Sequence, residues 1–248
     1  TMSRLLVVLM LFVVIACSKG QNQTLVFGRG GDSVGLDPAL ETDGESFKVA
    51  DNIYDTLVRF KEESTALEPS LAASWTVSDD RLTWTFKLRS NVQFHDGTAF
   101  NADAVVFSLG RQFKEDHPFH KVEGAYQYWN SMSMSEIVKD VRAVDDLTVE
   151  IELFRPNAPF LSNLAMNFCA IVSPTAVHKH GDEYARNPIG TGPFKFAQWI
   201  KDDRIVLERN LNYWDGAPSI ERIVFRSIPE NSVRLIALGQ GAVLGMDN

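Results

Sequence analysis

Two stretches of strict alternation constrain this chain more than any other feature. Leu82, Trp84, Phe86 and Leu88 alternate with Thr83, Thr85 and Lys87, and Leu147, Val149, Ile151 and Leu153 alternate with Thr148, Glu150 and Glu152. A period of two sends successive side chains to opposite faces of a pleated strand. Each run therefore predicts a strand with one buried and one wetted face, the pattern of an antiparallel sheet. Asp145-Asp146 reads as the turn before the second run. Between the runs, Ala102, Val105, Val106, Leu109 and Phe113 recur at helical spacing and predict a helix from Ala102 to about Phe113. Asn101 is placed to cap its free amides, and Asp103 suits the positive end of its dipole.

Outside this segment the elements alternate in type. Leu25 to Phe27 begins the first strand, and the turn-rich run Gly28 to Ser33 follows. Phe47, Ala50, Ile53, Tyr54 and Leu57 share one helical face. Residues 114 to 135 mix aromatics with Gly, Pro and His and read as a loop. Asn167 to Val172 is continuously apolar after Asn167 and reads as a buried strand, with Cys169 as a small buried hydrophobe. Phe194-Lys195-Phe196, Ile205-Val206-Leu207 and Ile223-Val224-Phe225 are short strands, and Asn231 is placed to cap a last helix carrying Val233, Ile236 and Ala237. Strands mixed with helices predict an α/β or α+β fold. Sixteen Phe and five Trp supply core material. The net charge of −8 disfavours nucleic acid and anionic lipid headgroups as partners.

The N-terminus carries a different signal. Arg4 precedes an unbroken apolar run from Leu5 to Ile15, and the small residue Ala16 stands before Cys17. A charged start, a short apolar core and a small-residue boundary describe a secretory signal, and the run falls short of the roughly 20 residues that span a bilayer. Val14-Ile15-Ala16-Cys17 resembles the lipobox of bacterial lipoproteins. That resemblance implies cleavage before Cys17, lipidation of its thiol, and a protein anchored to a membrane outside the cytoplasm. Residues 1–17 would then be the signal and 18–23 a polar tether. Cys169 would be the sole thiol left beside the lipidated one, so no intrachain disulfide forms in the mature chain. The start at Thr1 and the end at Asn248, just after a helical pattern, suggest a fragment.

Three blocks carry a family resemblance. The first runs from Asn52-Ile53-Tyr54-Asp55-Thr56-Leu57 to Pro69-Ser70-Leu71-Ala72. The second runs from Trp84-Thr85-Phe86 through Phe94-His95-Asp96-Gly97-Thr98 to Asp103-Ala104-Val105-Val106-Phe107-Ser108. The third runs from Pro188-Ile189-Gly190-Thr191-Gly192-Pro193-Phe194 to Tyr213-Trp214. In order and spacing they resemble the family 5 extracellular solute-binding proteins of ABC transporters. His117-Pro118-Phe119-His120-Lys121 and Arg155-Pro156-Asn157-Ala158-Pro159-Phe160 are most similar to the dipeptide-binding branch. The resemblance implies an α/β type II periplasmic-binding-protein fold, with a first lobe from residues 24–55 and 185–248 and a small extra domain from 56–184. A second lobe, which in the family supplies the Asp and Arg that bind peptide termini, is missing here. It also implies a periplasmic or cell-surface receptor, with no enzymatic activity and no cofactor, that captures a short peptide for the permease subunits of a transporter. Haem and nickel are the alternative ligands within the family, and a truncated receptor without activity is the other alternative. The ligand contacts implied are Thr42, Asp43, Gly44 and Glu45, through main-chain pairing that ignores side-chain identity, and the aromatic Phe119.

Other motifs have structural readings beside their chemical ones. His95-Asp96 invites a hydrolase, but no nucleophile motif accompanies it, and Gly97 marks a turn. Ile189-Gly190-Thr191-Gly192-Pro193 lacks the Lys of a phosphate loop and fits backbone packing at a crossing between domains. His117 with His120 and His178 with His180 have no third ligand nearby, so no metal is expected. Tyr126, Tyr128 and Trp129 read as core or domain interface.

Overall fold

The computed structural model describes residues 23–121 and 125–247. Cys17, the expected signal segment and most of the expected tether lie outside the described residues. The strands are β1 (Thr24–Arg29), β2 (Val58–Phe60), β3 (Leu67–Pro69), β4 (Ala72–Val77), β5 (Thr83–Leu88), β6 (Val138–Asp145), β7 (Thr148–Leu153), β8 (Phe194–Ile200), β9 (Arg204–Arg209), β10 (Arg222–Ser227) and β11 (Gly245–Met246). The α-helices are α1 (Gly44–Ala50), α2 (Ala102–Gly110), α3 (Gln127–Ser131), α4 (Met134–Ile137), α5 (Phe160–Asn163), α6 (Pro174–His180) and α7 (Asn231–Gly239). None of these helices is long and apolar enough to cross a membrane.

The strands form two main sheets. One has the order β11-β1-β10-β9-β8, with β1 parallel to both β10 and β11 and the remaining pairs antiparallel. The other is antiparallel, β4-β5-β7-β6, and β2 pairs with β3 as a separate ribbon. The two alternating runs become the neighbours β5 and β7, in the register Phe86 to Val149 and Trp84 to Ile151. Phe86, Leu88, Val149, Ile151 and Leu153 are buried and Lys87 is exposed, as the alternation requires, but Thr148, expected on the wetted face, is 3% exposed and accepts from Lys87 Nζ at 2.8 Å. Helix α2 packs across β6 and β7, with Asn101 Oδ1 accepting from Ala104 N at 3.0 Å. It stops at Gly110, before the predicted end, and continues as tight turns in which Gln112 N donates to Leu109 O and Phe113 N to Gly110 O.

Each sheet has its own apolar cluster. Phe86, Trp129, Phe160, Phe168 and Leu109 belong to the first, and Leu36, Ile53, Tyr54, Val172, Leu207 and Phe225 to the second. The segment 167–172 lies between the two. It is not the predicted strand: Asn167–Cys169 is a 3-10 turn, and beyond it Ile171 N donates to Asp55 O and Val172 N to Ser108 Oγ. It reads as continuously apolar because Cys169 and Ile171 face one cluster while Ala170 and Val172 face the other. Burial holds the Cys169 thiol well above its usual pKa, so it stays protonated and inert.

Three further expectations need correction. The helical face of Phe47 to Leu57 is helical only to Ala50, because the Asn52 and Ile53 carbonyls accept from Phe194 N and Gly192 N instead of continuing the helix. The expected loop 114–135 contains α3, with Trp129 fully buried against Phe113. In α7, Glu230 occupies the cap position, and Asn231 Oδ1 accepts from Arg234. Its expected apolar stripe is exposed, with Val233 at 48% and Ile236 at 57%, while Arg234 is buried on the carbonyls of Ile228 and Pro229.

Candidate functional site

The carboxyl end of β1 begins the site. Arg29, its last residue, is fully buried. Its guanidinium donates to Ser33 Oγ at 2.8 Å, to the Glu45 carbonyl at 3.0 Å and to Asp32 Oδ1 at 2.8 Å. One side chain therefore ties the glycine-rich turn to the first turn of α1. Asp43 is extended (φ −103°, ψ 146°), and its Oδ1 accepts from Ser46 N at 2.8 Å, which satisfies a free helix amide. Ser46 Oγ in turn accepts from Val34 N. Residues 42–45 are thus gripped from behind, while Thr42 and Gly44 remain exposed and Asp43 and Glu45 half-buried. Lys48 pairs with Glu45 at 3.6 Å and with Asp247, beyond β11, at 2.6 Å.

Glu41 sits beneath this segment, 6% exposed, over Gly35, whose missing Cβ leaves room for the carboxyl. Burial, with Asp43 and Asp37 adding to it and the Ser46 hydroxyl opposing it, pushes its pKa from 4.5 to about 7. As pH rises above 4.5 the unfolded chain releases this proton and the folded chain keeps it. The associated stability is full below pH 4.5 and is lost as pH rises through about 7. Glu41→Gln is expected to stabilise the fold by about 3 kcal/mol at pH 8 and by almost nothing at pH 4. Urea unfolding at the two pH values checks this, and an equal change at both refutes it.

Phe119 lies in the wall of a cavity of about 340 Å³, together with Leu40, Arg111, Tyr126, Val177 and Tyr184. Its ring meets His178 edge-on at 4.7 Å and Phe107 at 5.7 Å. Tyr126 Oη donates to the Phe119 carbonyl at 3.0 Å, which fixes the loop from below. The floor is an ion pair: Arg111 donates to both oxygens of Asp37, at 2.8 and 2.5 Å, with both residues buried. Tyr54 Oη donates to the Leu36 carbonyl and stands 3.0 Å from Tyr184 Oη, which donates to Ile189 O. Burial holds both phenols well above their usual pKa, so they stay protonated donors.

The predicted contacts fall in two places. The aromatic contacts of Phe119 are with Phe107, His117 and His178, not with residues 42–45. The segment Asp37 to Glu41 links the two, with Asp37 and Leu40 in the cavity wall and Glu41 under Asp43. A third feature has no counterpart in the sequence reading. Phe47 and Tyr128 meet edge-on at 5.3 Å, Tyr128 stacks on Phe168 at 6.1 Å, and with Asp51, Ala165, Met166 and Asn167 they border a hollow of about 300 Å³. Its one sequence signal is the spacing of Phe47, three residues after Gly44 on the same helix face.

The remaining motifs are structural. His95 N donates to Gly190 O, and its Nε2 meets Gly192 O at 2.9 Å. Burial lowers its pKa to about 4, so the ring is neutral and Nε2–H donates. Asp96 accepts from Thr98 N, Thr98 Oγ1 and Ser173 Oγ rather than orienting His95. Thr191 Oγ1, Trp214 Nε1 and Tyr213 Oη all donate to Asp55 and clamp the crossing. His117 packs on Phe107 and accepts from Phe119 N, and His120 Nδ1 lies 2.8 Å from the Arg111 carbonyl.

Comparison with known proteins gives concordant matches. Residues 66–246 match the family described as bacterial extracellular solute-binding proteins, family 5 Middle. The chain is 40% identical to the dipeptide-binding protein of Escherichia coli (strain K12) over 243 residues, covering 93% of this chain and 45% of that protein. It is 38% identical to heme-binding protein A of Haemophilus influenzae over 233 residues, 89% of this chain and 43% of that one. Among solved structures, it resembles the ABC transporter-associated periplasmic binding protein DppA from Helicobacter pylori in complex with peptide STSA. The TM-score is 0.85 at 43% identity, covering 89% of this chain and 45% of that one. The chain therefore spans less than half the length of the relatives it matches.

Proposed function

Because this chain belongs to the bacterial extracellular solute-binding proteins of family 5, we propose that it forms one wall of a cleft that captures short peptides outside the cytoplasmic membrane. Its α/β architecture is part of the type II periplasmic-binding-protein fold. The peptide would be passed to the permease subunits of an ABC transporter, and Cys17 would carry a lipid anchor. Residues 24–55 with 185–248 would make the first lobe, and 56–184 the extra domain. The five-stranded sheet supports this division by drawing its strands from 24–29 and 194–246, and the four-stranded sheet by drawing its own from 72–153.

One observation carries the ligand reading. Buried Arg29 holds residues 42–45 at the carboxyl ends of the parallel strands β11, β1 and β10, with Thr42 and Gly44 exposed. In sheets of this kind ligands bind outside the carboxyl ends of the strands. Main-chain groups of 42–45 would pair with an extended peptide, which accommodates many sequences because it reads backbone alone. Phe119 would add an aromatic wall beyond Leu40. The relatives described as dipeptide-binding, and the neighbour holding a peptide, support peptide over other ligands.

The test is amide NMR of the ¹⁵N-labelled chain titrated with Ala-Leu. Saturable shifts at Thr42 and Gly44 are expected, with an affinity on the order of millimolar because one wall supplies part of the contacts. Haemin binding with no peptide-induced shift would replace this reading with the haem alternative. Mass spectrometry of the protein made in a lipoprotein-processing bacterium is expected to show a diacylglyceryl adduct that Cys17→Ala abolishes.

A further inference from the structure

We propose that the hollow beside α1 is the pocket that receives an apolar side chain of the bound peptide and sets the side-chain preference of this wall. The inference rests on the peptide reading above. Its starting point is helix geometry. Gly44, Phe47 and Asp51 are spaced three and four residues apart, so they lie in line on one face of the α1 segment. Helical side chains lean toward the N-terminus, so Phe47 leans toward the Gly44 end of α1, where a Cβ at position 44 would meet no atom within 4 Å and space is open. One helical turn rises about 5.4 Å, within reach of a side chain from a peptide backbone paired at 42–45.

The walls suit an apolar occupant. The Phe47 ring meets Tyr128 edge-on and Tyr128 stacks on Phe168, so the aromatic faces are fixed. Phe47, Tyr128 and Met166 are half-buried, each keeping apolar surface open to the hollow, while Phe168 is 1% exposed and closes its back. A thioether adapts its shape to different occupants, so Met166 favours a range of apolar side chains over a single one. Asp51, exposed at the rim, opposes an acidic side chain. A volume of about 300 Å³ admits one side chain of leucine or methionine size with room to spare.

The experiment labels the methionine methyls with ¹³C and titrates the full chain with Ala-Leu, Ala-Ser and Ala-Glu, following the Gly44 amide and the Met166 methyl together. Ala-Leu is expected to move both signals, and to bind roughly fivefold tighter than Ala-Ser, with Ala-Glu weakest, as partial burial of a leucine side chain implies. In Met166→Gln, and separately in Phe47→Ala, the Gly44 shift should persist while the preference for Ala-Leu falls toward unity. A second variant guards against loss of folding in the first. If Gly44 responds but Met166 does not, or the three peptides bind alike, the pocket assignment is overturned and the peptide reading stands. If neither signal moves with any peptide, the peptide reading fails and the pocket falls with it.

Discussion

Asp37→Ala is expected to destabilise the fold by about 3–5 kcal/mol, the usual cost of leaving one partner of a buried ion pair alone. Arg111 is 3% exposed, and both of its described side-chain hydrogen bonds go to Asp37, so the truncation leaves a buried guanidinium without its counter-charge. Asp37 also anchors the chain around it. Its Oδ1 accepts from Ala39 N at 3.3 Å, a bond alanine cannot make, and this bond braces the turn in which Leu40 N and Glu41 N donate to the Asp37 carbonyl. The same substitution should therefore loosen residues 42–45 and weaken the Thr42 and Gly44 response to peptide. Urea unfolding followed by tryptophan fluorescence measures the first effect. A double replacement, Asp37→Leu with Arg111→Met, should recover most of the loss, because it removes both charges and leaves neither unpaired. A loss under 1 kcal/mol in the single variant would show that water solvates Arg111 after all.

Gly190→Ala is expected to cost about 3 kcal/mol, at the top of the range for overpacking. A Cβ at position 190 collides with the Ile53 carbonyl oxygen, and at position 192 it would stand 2.6 Å from the Ile53 carbonyl carbon. Both obstacles are backbone, which has no rotamer to swing aside. They are also fixed in place, because the Ile53 carbonyl accepts from Gly192 N and the Gly190 carbonyl accepts from His95 N. Relief would mean moving the crossing that joins the two clusters. Gly239→Ala is the control: no atom lies within 4 Å of its Cβ, and at the end of α7 alanine should be neutral or mildly stabilising. Thermal unfolding of the two variants side by side gives the comparison. Equal midpoints would mean that the crossing is not packed this tightly.

Both positions bear on what was legible in advance. The alternation at 82–88 and 147–153 foretold β5 and β7, their antiparallel setting and their burial apart from that of Thr148, because a strand's period is local and its wetted face is written mostly in Thr, Lys and Glu. The Asn101 cap and the start of α2 were legible for the same reason. The residues of the Gly190–Gly192 motif point to backbone packing, but not to the partner: nothing in Ile53 announces that its carbonyl faces two glycines from far along the chain. Arg111 and Asp37 are likewise separated by 74 positions.

The candidate site divides in the same way. Residues 42–45 and Phe119 are proposed contacts that rest on a family resemblance, and what the structure shows of Asp43 is a helix cap. The hollow of Phe47, Tyr128 and Met166 had no local signature, because its walls come from three separated segments that meet only when α1 packs beside α3. By itself the sequence determined the alternating strands, the capped helix, the ample core and the family, since each is written in short spacings or in ordered blocks. Only the tertiary structure decided that 167–172 lies between two clusters and not in a sheet, that α7 buries Arg234 and exposes Val233 and Ile236, and that Arg29 holds the 42–45 segment open. Those outcomes depend on which distant surface arrives to cover a residue, and burial of that kind is a property of the packed chain, not of any window along it.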